Sequence, residues 1–268
     1  MNRDIKSIAI GSFDGVHLAH QKLISLSDGV VVIERNKATL TPGWKRVKYI
    51  KKPTFFYHLQ NIKNLSPKEF IKRLQQDFSN LEAIVVGYDF RFGKDKSGSI
   101  DTIKSYFKKE VIVVDEIKYK DISIHSRVIR ELISKNNISL ANRLLDRFYT
   151  IDGYQIRGQG LGKKELVPTI NLKVINYTLP QGVFATIAKI DGKKYKSVTF
   201  IGNRVSTDNS FSVEFFIIDK FDKGFIKDII ELEFIDFIRE NQKFNSLKSL
   251  KEQINRDILR AKEILKPF

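Results

Sequence analysis

The chain has 268 residues but no cysteine, only four histidines, and one residue each of tryptophan and methionine. The absence of cysteine excludes disulfide bonds, thiolate nucleophiles and cysteine-ligated zinc. The few histidines leave little material for a structural metal site. We therefore expect any metal ion to be bound by oxygen atoms and to arrive with a phosphate-bearing substrate.

Long apolar runs are missing as well. No stretch approaches the roughly 18 consecutive apolar residues that a transmembrane helix needs, and residues 1–4 lack the apolar core of a signal peptide. Hydrophobic residues make up 42% of the chain and charged residues 29%, which is typical of globular proteins. We therefore expect a cytoplasmic globular protein without membrane association, long enough for two domains.

Positive charge, by contrast, is abundant, and the formal net charge is +16. Such a balance favours anionic partners, of which nucleic acid is the first to consider. The lysines are spread over the whole length, however, without a block of like charge or an aromatic-interleaved basic cluster. We therefore expect small anionic substrates rather than nucleic acid, and a monomer or a weak homo-oligomer.

The most informative stretch lies near the N-terminus and reads Gly11-Ser12-Phe13-Asp14-Gly15-Val16-His17-Leu18-Ala19-His20. It follows a short apolar run and leads into an apolar-periodic segment, which predicts a strand, a turn and a helix. Gly11 and Gly15 allow a tight turn and close approach of the backbone to a ligand, and the N-terminus of a helix attracts anions. His17 and His20 share one helix face. The segment predicts a phosphate-binding site, with capping or surface histidines as the alternative.

Two later segments carry polar residues that could serve the same site. Residues 87–93 follow a predicted buried strand, where open α/β sheets contact their ligands, and Asp89 and Phe90 there can hydrogen-bond and stack on a flat ring. Ser126 and Arg130 place a hydroxyl and a guanidinium group on one helix face, as a clamp for a triphosphate. A structural loop in the first case and a serine cap with a surface arginine in the second are the alternatives.

Strands and helices alternate along the first half of the chain, which predicts an α/β domain with a doubly wound parallel sheet. Residues 35–55 are expected to form an irregular loop with at most one short strand. The second half predicts an all-β barrel of six short strands, at residues 148–156, 169–174, 183–190, 194–201, 211–218 and 229–237. Residues 246–265 predict an amphipathic helix that packs against the barrel. We expect the domains to span residues 1–137 and 138–268.

A glycine-rich segment follows the first predicted barrel strand. Gly158, Gly160 and Gly162 alternate with other residues, and Lys163 comes directly after them. Backbone amides and an ammonium group in such a segment can cradle phosphates. A flexible surface hairpin is an equally good interpretation.

At several points the sequence resembles the bacterial bifunctional riboflavin kinase and FMN adenylyltransferase family. Residues 11–20 are similar to the nucleotide-binding signature of that family, residues 87–93 to its flavin-contacting loop, and residues 124–130 to the second half of its triphosphate site. Val167-Pro168-Thr169-Ile170-Asn171 resembles the flavokinase signature. Further matches follow in the order of the family at residues 182–185, 201–204, 212–219 and 238–244.

The resemblance implies a nucleotidyltransferase-like Rossmann domain followed by a riboflavin kinase barrel. The barrel would phosphorylate riboflavin to FMN with Mg-ATP, and the first domain would adenylylate FMN to FAD with release of pyrophosphate. The implied catalytic residues are Glu214, as acceptor of the riboflavin 5′-hydroxyl proton, with His17, His20 and Arg130. Thr169 and Asn171 would hold Mg²⁺. ATP and its phosphates would be bound by Gly11, Phe13, Asp14, Gly15, Ser126, Gly158, Gly160, Gly162 and Lys163, and the flavin by Asp89, Phe90 and Arg204.

Two alternatives stay open at the level of sequence. Some positions depart from the family pattern, among them Ala19 and His125 in the first half and Leu166, Val167 and Ile170 in the second. The same fold could therefore keep only one of the two activities. The high positive charge also allows a non-enzymatic regulator that binds flavin or RNA.

Overall fold

The computed structural model describes residues 4–157, 167–204, 209–221 and 224–268. The chain divides into two compact units, Met1–Val128 and Ile129–Phe268. The domain limits expected from the sequence, 1–137 and 138–268, stay a prediction. Within the described ranges, no helix is both long enough and apolar enough to cross a membrane.

The first unit is built around a five-stranded parallel sheet. Strands β1 and β2 are short apolar runs with few exposed residues, as expected for strands that are covered on both faces. The spatial order is β3-β2-β1-β4-β5, so the chain changes direction at β1. The sheet contains β1 (Ser7–Gly11), β2 (Gly29–Glu34), β3 (Thr54–His58), β4 (Ala83–Gly87) and β5 (Glu110–Val114).

Helices cover both faces of this sheet, and the sheet separates two apolar clusters. Ile8 and Ile10 of β1 face one cluster, and Ala9 between them faces the other. The helices are α1 (Leu18–Ser25), α2 (Val47–Ile50), α3 (Leu59–Ile62), α4 (Pro67–Asp77) and α5 (Ile100–Tyr106). A short hairpin of β6 (Lys118–Tyr119) and β7 (Ile122–Ser123) precedes α6 (Ser126–Ser134). This arrangement confirms the predicted α/β class.

Residues 35–55 are more regular than the sequence indicated. They include a 3-10 helix, Gly43–Arg46, then α2 and the beginning of β3. Strand β3 pairs in parallel with the edge of β2, with Val31 opposite Phe55. Its apolar residues face both clusters, Phe55 and Tyr57 one and Phe56 the other. Strand β3 lies at the edge of the sheet and its residues are only partly buried, and this aromatic run was not assigned to a strand from the sequence.

The second unit is a closed antiparallel barrel of six strands in the order β10-β11-β12-β9-β8-β13. Buried and partly exposed residues alternate along its strands, as in β12, where Val213 and Phe215 are buried on either side of Glu214. The barrel confirms the all-β prediction. The elements of this unit are α7 (Ile138–Leu145), β8 (Tyr149–Ile156), β9 (Ile170–Val174), β10 (Gly182–Ile190), β11 (Lys193–Asn203), β12 (Phe211–Ile217), β13 (Ile230–Arg239) and α8 (Leu247–Ile264).

Helix α8 packs against β10, β11 and β13, as the amphipathic pattern predicted. Ala261 and Leu265 form the apolar part of this contact together with Ala185 and Ile187 of β10. A buried carboxylate strengthens it. Asp257 is 4% exposed, and both of its oxygens accept hydrogen bonds from the Arg239 guanidinium at 2.8–3.0 Å.

We expect Asp257→Ala to lower the free energy of unfolding of the second unit by about 3 kcal/mol, because it leaves the Arg239 guanidinium half-buried without its carboxylate. The matched control is Glu263→Ala on the same helix. Glu263 pairs with Arg260 at 2.8 Å, but both side chains are more than 60% exposed, so its loss costs less than about 1 kcal/mol. Urea unfolding followed by circular dichroism compares them, and equal effects would contradict the assignment of Asp257 as an anchor.

Candidate functional sites

The loop between β1 and α1 has an unusual backbone conformation. Phe13 and Val16 have φ angles of 50° and 42°, in the left-handed region, and Gly15 has 85°. Left-handed angles are costly for a β-branched residue such as Val16. Phe13 and Val16 are both fully buried, so their packing holds the chain in this shape. The loop therefore stores backbone strain that the surrounding contacts offset.

The two histidines of the loop form a stacked pair at the beginning of α1. The His17 and His20 rings lie 3.6 Å apart between centroids, with an interplanar angle of 17°. His17 is the N-cap of α1, because its Nδ1 accepts the backbone N–H of His20 at 3.4 Å. The Phe13 ring packs against His20 at a tilt. Both imidazoles are thus fixed beside the positive end of a helix.

Ser126, the first residue of α6, joins this group. Its hydroxyl donates a hydrogen bond to the backbone carbonyl of Asp14 at 2.8 Å and lies 3.3 Å from Nε2 of His17. Residues 109 positions apart in the sequence thus meet in one cluster. Arg130 lies one helical turn further along α6, and it is not among the residues that line the cavity described below.

Asp14 does not line that cavity. Its carboxylate accepts backbone N–H groups from Thr39, Leu40 and Thr41 at 2.9–3.2 Å, and the side chain is buried. The residue was expected to bind ATP or its phosphates, and this role stays a prediction. The contacts that the structure shows fasten the loop to residues 39–41.

Arg46, which is fully buried, makes a second connection between the segment that follows residues 39–41 and the β1–α1 loop. Its guanidinium forms an ion pair with Glu34, donates to the carbonyl of Gly43 at 2.9 Å, and donates to the carbonyl of Ser12 at 2.5 Å. Burial lowers the pKa of Arg46, and the nearby Asp14 carboxylate opposes that effect. Sequence reasoning did not identify Arg46 or Glu34, because nothing local marks a contact across 34 positions.

The β1–α1 loop forms one wall of a cavity of about 700 Å³. Residues 87–93, which follow β4, line it too, together with residues 114–117 after β5. The cavity therefore lies at the carboxyl edge of the sheet, as expected for a doubly wound fold. It brings together Gly11, Phe13, His17, His20, Asp89, Phe90 and Ser126 of the predicted residues, whereas Asp14, Gly15 and Arg130 do not line it.

The loop after β4 presents aromatic rings and polar groups. Phe90 and Phe92 are stacked, with ring centroids 5.7 Å apart. The Tyr88 hydroxyl lies 3.4 Å from both Nε2 of His125 and Oε1 of Glu116. A hydrogen bond from Ser123 and the ammonium group of Lys118 lower the pKa of Glu116, so that it stays ionised. His125 thus belongs to a polar network at the edge of the cavity.

A second group of polar residues lies on the outer face of the barrel. Glu214 in β12 is directly opposite Asn171 in β9 and Phe200 in β11, so these side chains share one face. One Glu214 oxygen accepts the Thr169 hydroxyl at 3.2 Å, and the other lies 3.2 Å from Nε of Arg204. Glu214, Thr169, Asn171 and Arg204 are therefore neighbours. Gly158, Gly160, Gly162 and Lys163 lie outside the described residues.

The fold and the two sites define a class of protein. The first unit offers anion-binding groups and aromatic rings in a crevice at the carboxyl edge of a parallel sheet, which is the arrangement of nucleotide-binding α/β domains. The second offers a carboxylate beside a hydroxyl and an amide on rigid strands, which suits the activation of an alcohol. Together they describe an enzyme that transfers phosphorus-containing groups at two separate sites.

Comparison with known proteins defines this class more closely. The sequence model for FAD synthetase matches residues 30–128, and that for riboflavin kinase matches residues 145–265. The bifunctional riboflavin kinase/FMN adenylyltransferase of Buchnera aphidicola subsp. Acyrthosiphon pisum is 33% identical, over 94% of this chain and 91% of its own. That of Bacillus subtilis is 29% identical, over 93% and 89%. The chain therefore belongs to the bifunctional riboflavin kinase/FMN adenylyltransferase family, which confirms the resemblance and the predicted function.

A solved structure shares the whole fold. The crystal structure of a macrolide-efflux protein from Streptococcus pneumoniae superposes with a TM-score of 0.83, at 24% identity, over 98% of this chain and 95% of that one. At this identity the likeness concerns the fold alone. The two domains of the family follow in the predicted order, FAD synthetase first and riboflavin kinase second.

We expect Gly93→Ala to destabilise the first unit by about 2 kcal/mol or more, because Gly93 has φ 71° and ψ 177°, a region essentially restricted to glycine. An added Cβ would also lie 2.9 Å from the Pro67 ring. Gly43→Ala is the matched control, since Gly43 has φ 57° but no atom within 4 Å of the added Cβ, and it costs about 1 kcal/mol. The melting temperatures of both variants are measured by thermal unfolding. Equal decreases in melting temperature would contradict an additional cost from the contact with Pro67.

Proposed function

We propose that the cavity of the first unit is where the adenylyl group is transferred from ATP to FMN. The observation that carries this proposal is the convergence of His17, His20 and Ser126 on one side of the cavity with the aromatic loop on another. An oxygen of the FMN phosphate attacks the α-phosphorus of ATP. The bond from that phosphorus to the bridging oxygen breaks, and pyrophosphate leaves. No covalent intermediate with the protein is needed.

The histidine pair acts on the phosphates in this proposal. The stacked imidazoles lie beside a helix N-terminus, whose amides and dipole supply a positive field where negative charge develops. Ser126 orients His17 through the contact between its hydroxyl and Nε2. Phe90 and Asp89 are proposed to contact the isoalloxazine ring, because they line the cavity on the loop after β4. We also propose Arg130 as a phosphate ligand, because it lies one helical turn after Ser126 in α6.

In the barrel, we propose that Glu214 accepts the proton of the riboflavin 5′-hydroxyl. The hydroxyl oxygen of riboflavin then attacks the γ-phosphorus of ATP, and ADP leaves. Glu214 is held through both oxygens, by Thr169 and by Arg204, which fixes the direction of the carboxylate. Arg204 was expected to contact the flavin. The ion pair supports a second proposed role for Arg204, the orientation of Glu214.

The donor set of the barrel site fits Mg²⁺. Thr169 and Asn171 offer a hydroxyl and an amide oxygen close to a carboxylate, and Mg²⁺ prefers such hard oxygen ligands together with substrate phosphates. In the described parts of the chain, no group of three or more histidine, cysteine or acidic residues is arranged to hold a metal by itself. We therefore propose that Thr169 and Asn171 hold an ion that enters with ATP and neutralises phosphate charge.

The remaining proposals concern surroundings and partners. The substrates are ATP, riboflavin and FMN, and the final product is FAD. Because both reactions consume ATP, we propose that the protein acts in the cytoplasm. We propose a monomer or a weak homo-oligomer without a nucleic-acid partner.

The function is tested by a chromatographic product assay on the purified protein with Mg-ATP. One reaction contains riboflavin and the other contains FMN. We expect FMN and then FAD from the first reaction, and FAD from the second. FMN without FAD in both tubes would reject adenylyl transfer, whereas FAD from FMN together with unchanged riboflavin would reject the kinase.

We expect Glu214→Gln to reduce the rate of FMN formation by about 100- to 10 000-fold, because the amide cannot accept a proton. FAD formation from added FMN should stay at the wild-type rate. Glu233→Gln is the matched control, since Glu233 is a barrel glutamate of similar exposure, 14% against 16%, paired with Lys189. Initial rates of both reactions are measured. An active Glu214→Gln variant would remove Glu214 from the mechanism.

We expect His17→Asn to reduce FAD formation by about 100-fold, because the stacked imidazole pair beside the proposed phosphate site is lost, without affecting the kinase. Asparagine retains the capping of α1, so the helix is preserved. His58→Asn in the same unit is the control, since His58 is exposed at the end of β3 and does not line the cavity. Steady-state rates with FMN as substrate decide. Equal rates for the two variants would exclude a role for His17.

A further inference from the structure

The strained β1–α1 loop is fastened at two points to one segment of the chain, residues 39–46. At the first point, the Asp14 carboxylate accepts three successive N–H groups, from Thr39, Leu40 and Thr41. At the second, the Arg46 guanidinium donates to the carbonyl of Ser12. The two attachment points lie on either side of Phe13, the first of the two left-handed residues.

Arg46, which forms the second attachment, is itself held by further contacts. Arg46 forms an ion pair with Glu34 at the end of β2, donates to Gly43, and lies over the Phe56 ring at 5.6 Å. The other oxygen of Glu34 accepts the N–H of Asn36 at 2.6 Å. All five donors of a guanidinium lie in one plane, so a side chain engaged on several sides has little freedom. Arg46 thus fixes the position of Ser12 relative to the end of β2.

This placement matters for the chemistry of the cavity. Ser12 and Phe13 line the cavity, and His17 and His20 follow directly. A bonded Ser12 carbonyl is directed towards Arg46 instead of towards a bound phosphate, which removes a repulsive oxygen from the anion site. Strained conformations persist only where the surroundings over-determine them. Without Arg46, the loop is free to relax towards ordinary backbone angles.

From these contacts we infer that Arg46 is a positioning residue for adenylyl transfer. It holds the β1–α1 loop in the conformation that places the histidine pair on the phosphates. The inference rests on the proposed function of the first unit and extends it to a residue that does not line the cavity. Arg46 acts through Ser12 and is not itself in contact with substrate.

The test must separate positioning from stability, because Arg46→Met alone leaves Glu34 buried without its partner and destabilises the fold. The informative variant is the double replacement Arg46→Met with Glu34→Gln, which removes both charges and keeps an oxygen for the Asn36 N–H. Arg73→Met is the matched control. Arg73 lies in the same unit and pairs with Asp77 at 2.7 Å on α4, but its side chain is 58% exposed and does not line the cavity.

We expect kcat for FAD formation to fall about 10- to 100-fold in the double variant, as misplacement of reacting groups commonly causes. The KM for FMN should change little, because residues 87–93 are untouched, and the riboflavin kinase rate serves as an internal standard. Arg46→Lys should give an intermediate rate, since one ammonium group can reach Ser12 without reproducing every contact. Arg73→Met should leave both activities unchanged.

Circular dichroism melting gives the folded fraction, to which the rates are normalised. A double variant that is folded and forms FAD at the wild-type rate would overturn the inference, and so would an equal loss in Arg73→Met. If the double variant does not fold, Arg46→Lys decides, with a wild-type rate counting against positioning. Wild-type protein that makes no FAD from FMN would instead reject the proposed function, and the inference with it.

Discussion

The parallel pairing of β1 with β2 on one side and β4 on the other is the constraint from which the first site follows. Ile10 and Gly11 pair with Val31 and Val32, and Ala9 pairs with Val85. All three strands therefore end at the same edge, and the loops that leave them must meet there. The β1–α1 loop, a buried ion pair and an aromatic loop are thus brought together by the register of three apolar strands.

Three carboxylates near this edge of the sheet have hydrogen-bond or ion-pair partners within the protein. Asp14 lies within the β1–α1 loop, but its carboxylate accepts hydrogen bonds from three N–H groups of residues 39–41. Glu34 is neutralised by Arg46, and Glu116 by Ser123 and Lys118. The cavity lining carries charge of both signs, and its carboxylates include Asp89, Asp95, Asp115 and Glu116. The cationic residues that line the cavity include Arg35, Lys63, Arg91, Lys94 and Lys96.

Much of this architecture could be predicted from the sequence, because apolar runs and glycine turns report on local structure. Four of the five strands of the parallel sheet, the barrel, the terminal helix and the histidine loop were identified in this way. The partners of Asp14 and Arg46 were not, since these contacts join residues up to 34 positions apart with no local pattern. Strand β3, a partly buried aromatic run at the edge of the sheet, was not assigned. The pairing of Arg204 with Glu214 depends on strand register, which a single sequence does not specify.

The two sites also differ in how they are built, and this explains why one was easier to recognise. In the first unit one continuous loop contains most of the proposed phosphate-binding residues, so the signature is a single run of residues from Gly11 to His20. In the barrel, neighbouring strands bring together side chains from positions 169, 171, 204 and 214. Such a site is rigid because its residues stand on or beside paired strands, but its residues are scattered along the sequence. Each unit has its own core and its own site, so a substitution in one unit can be judged against the activity of the other.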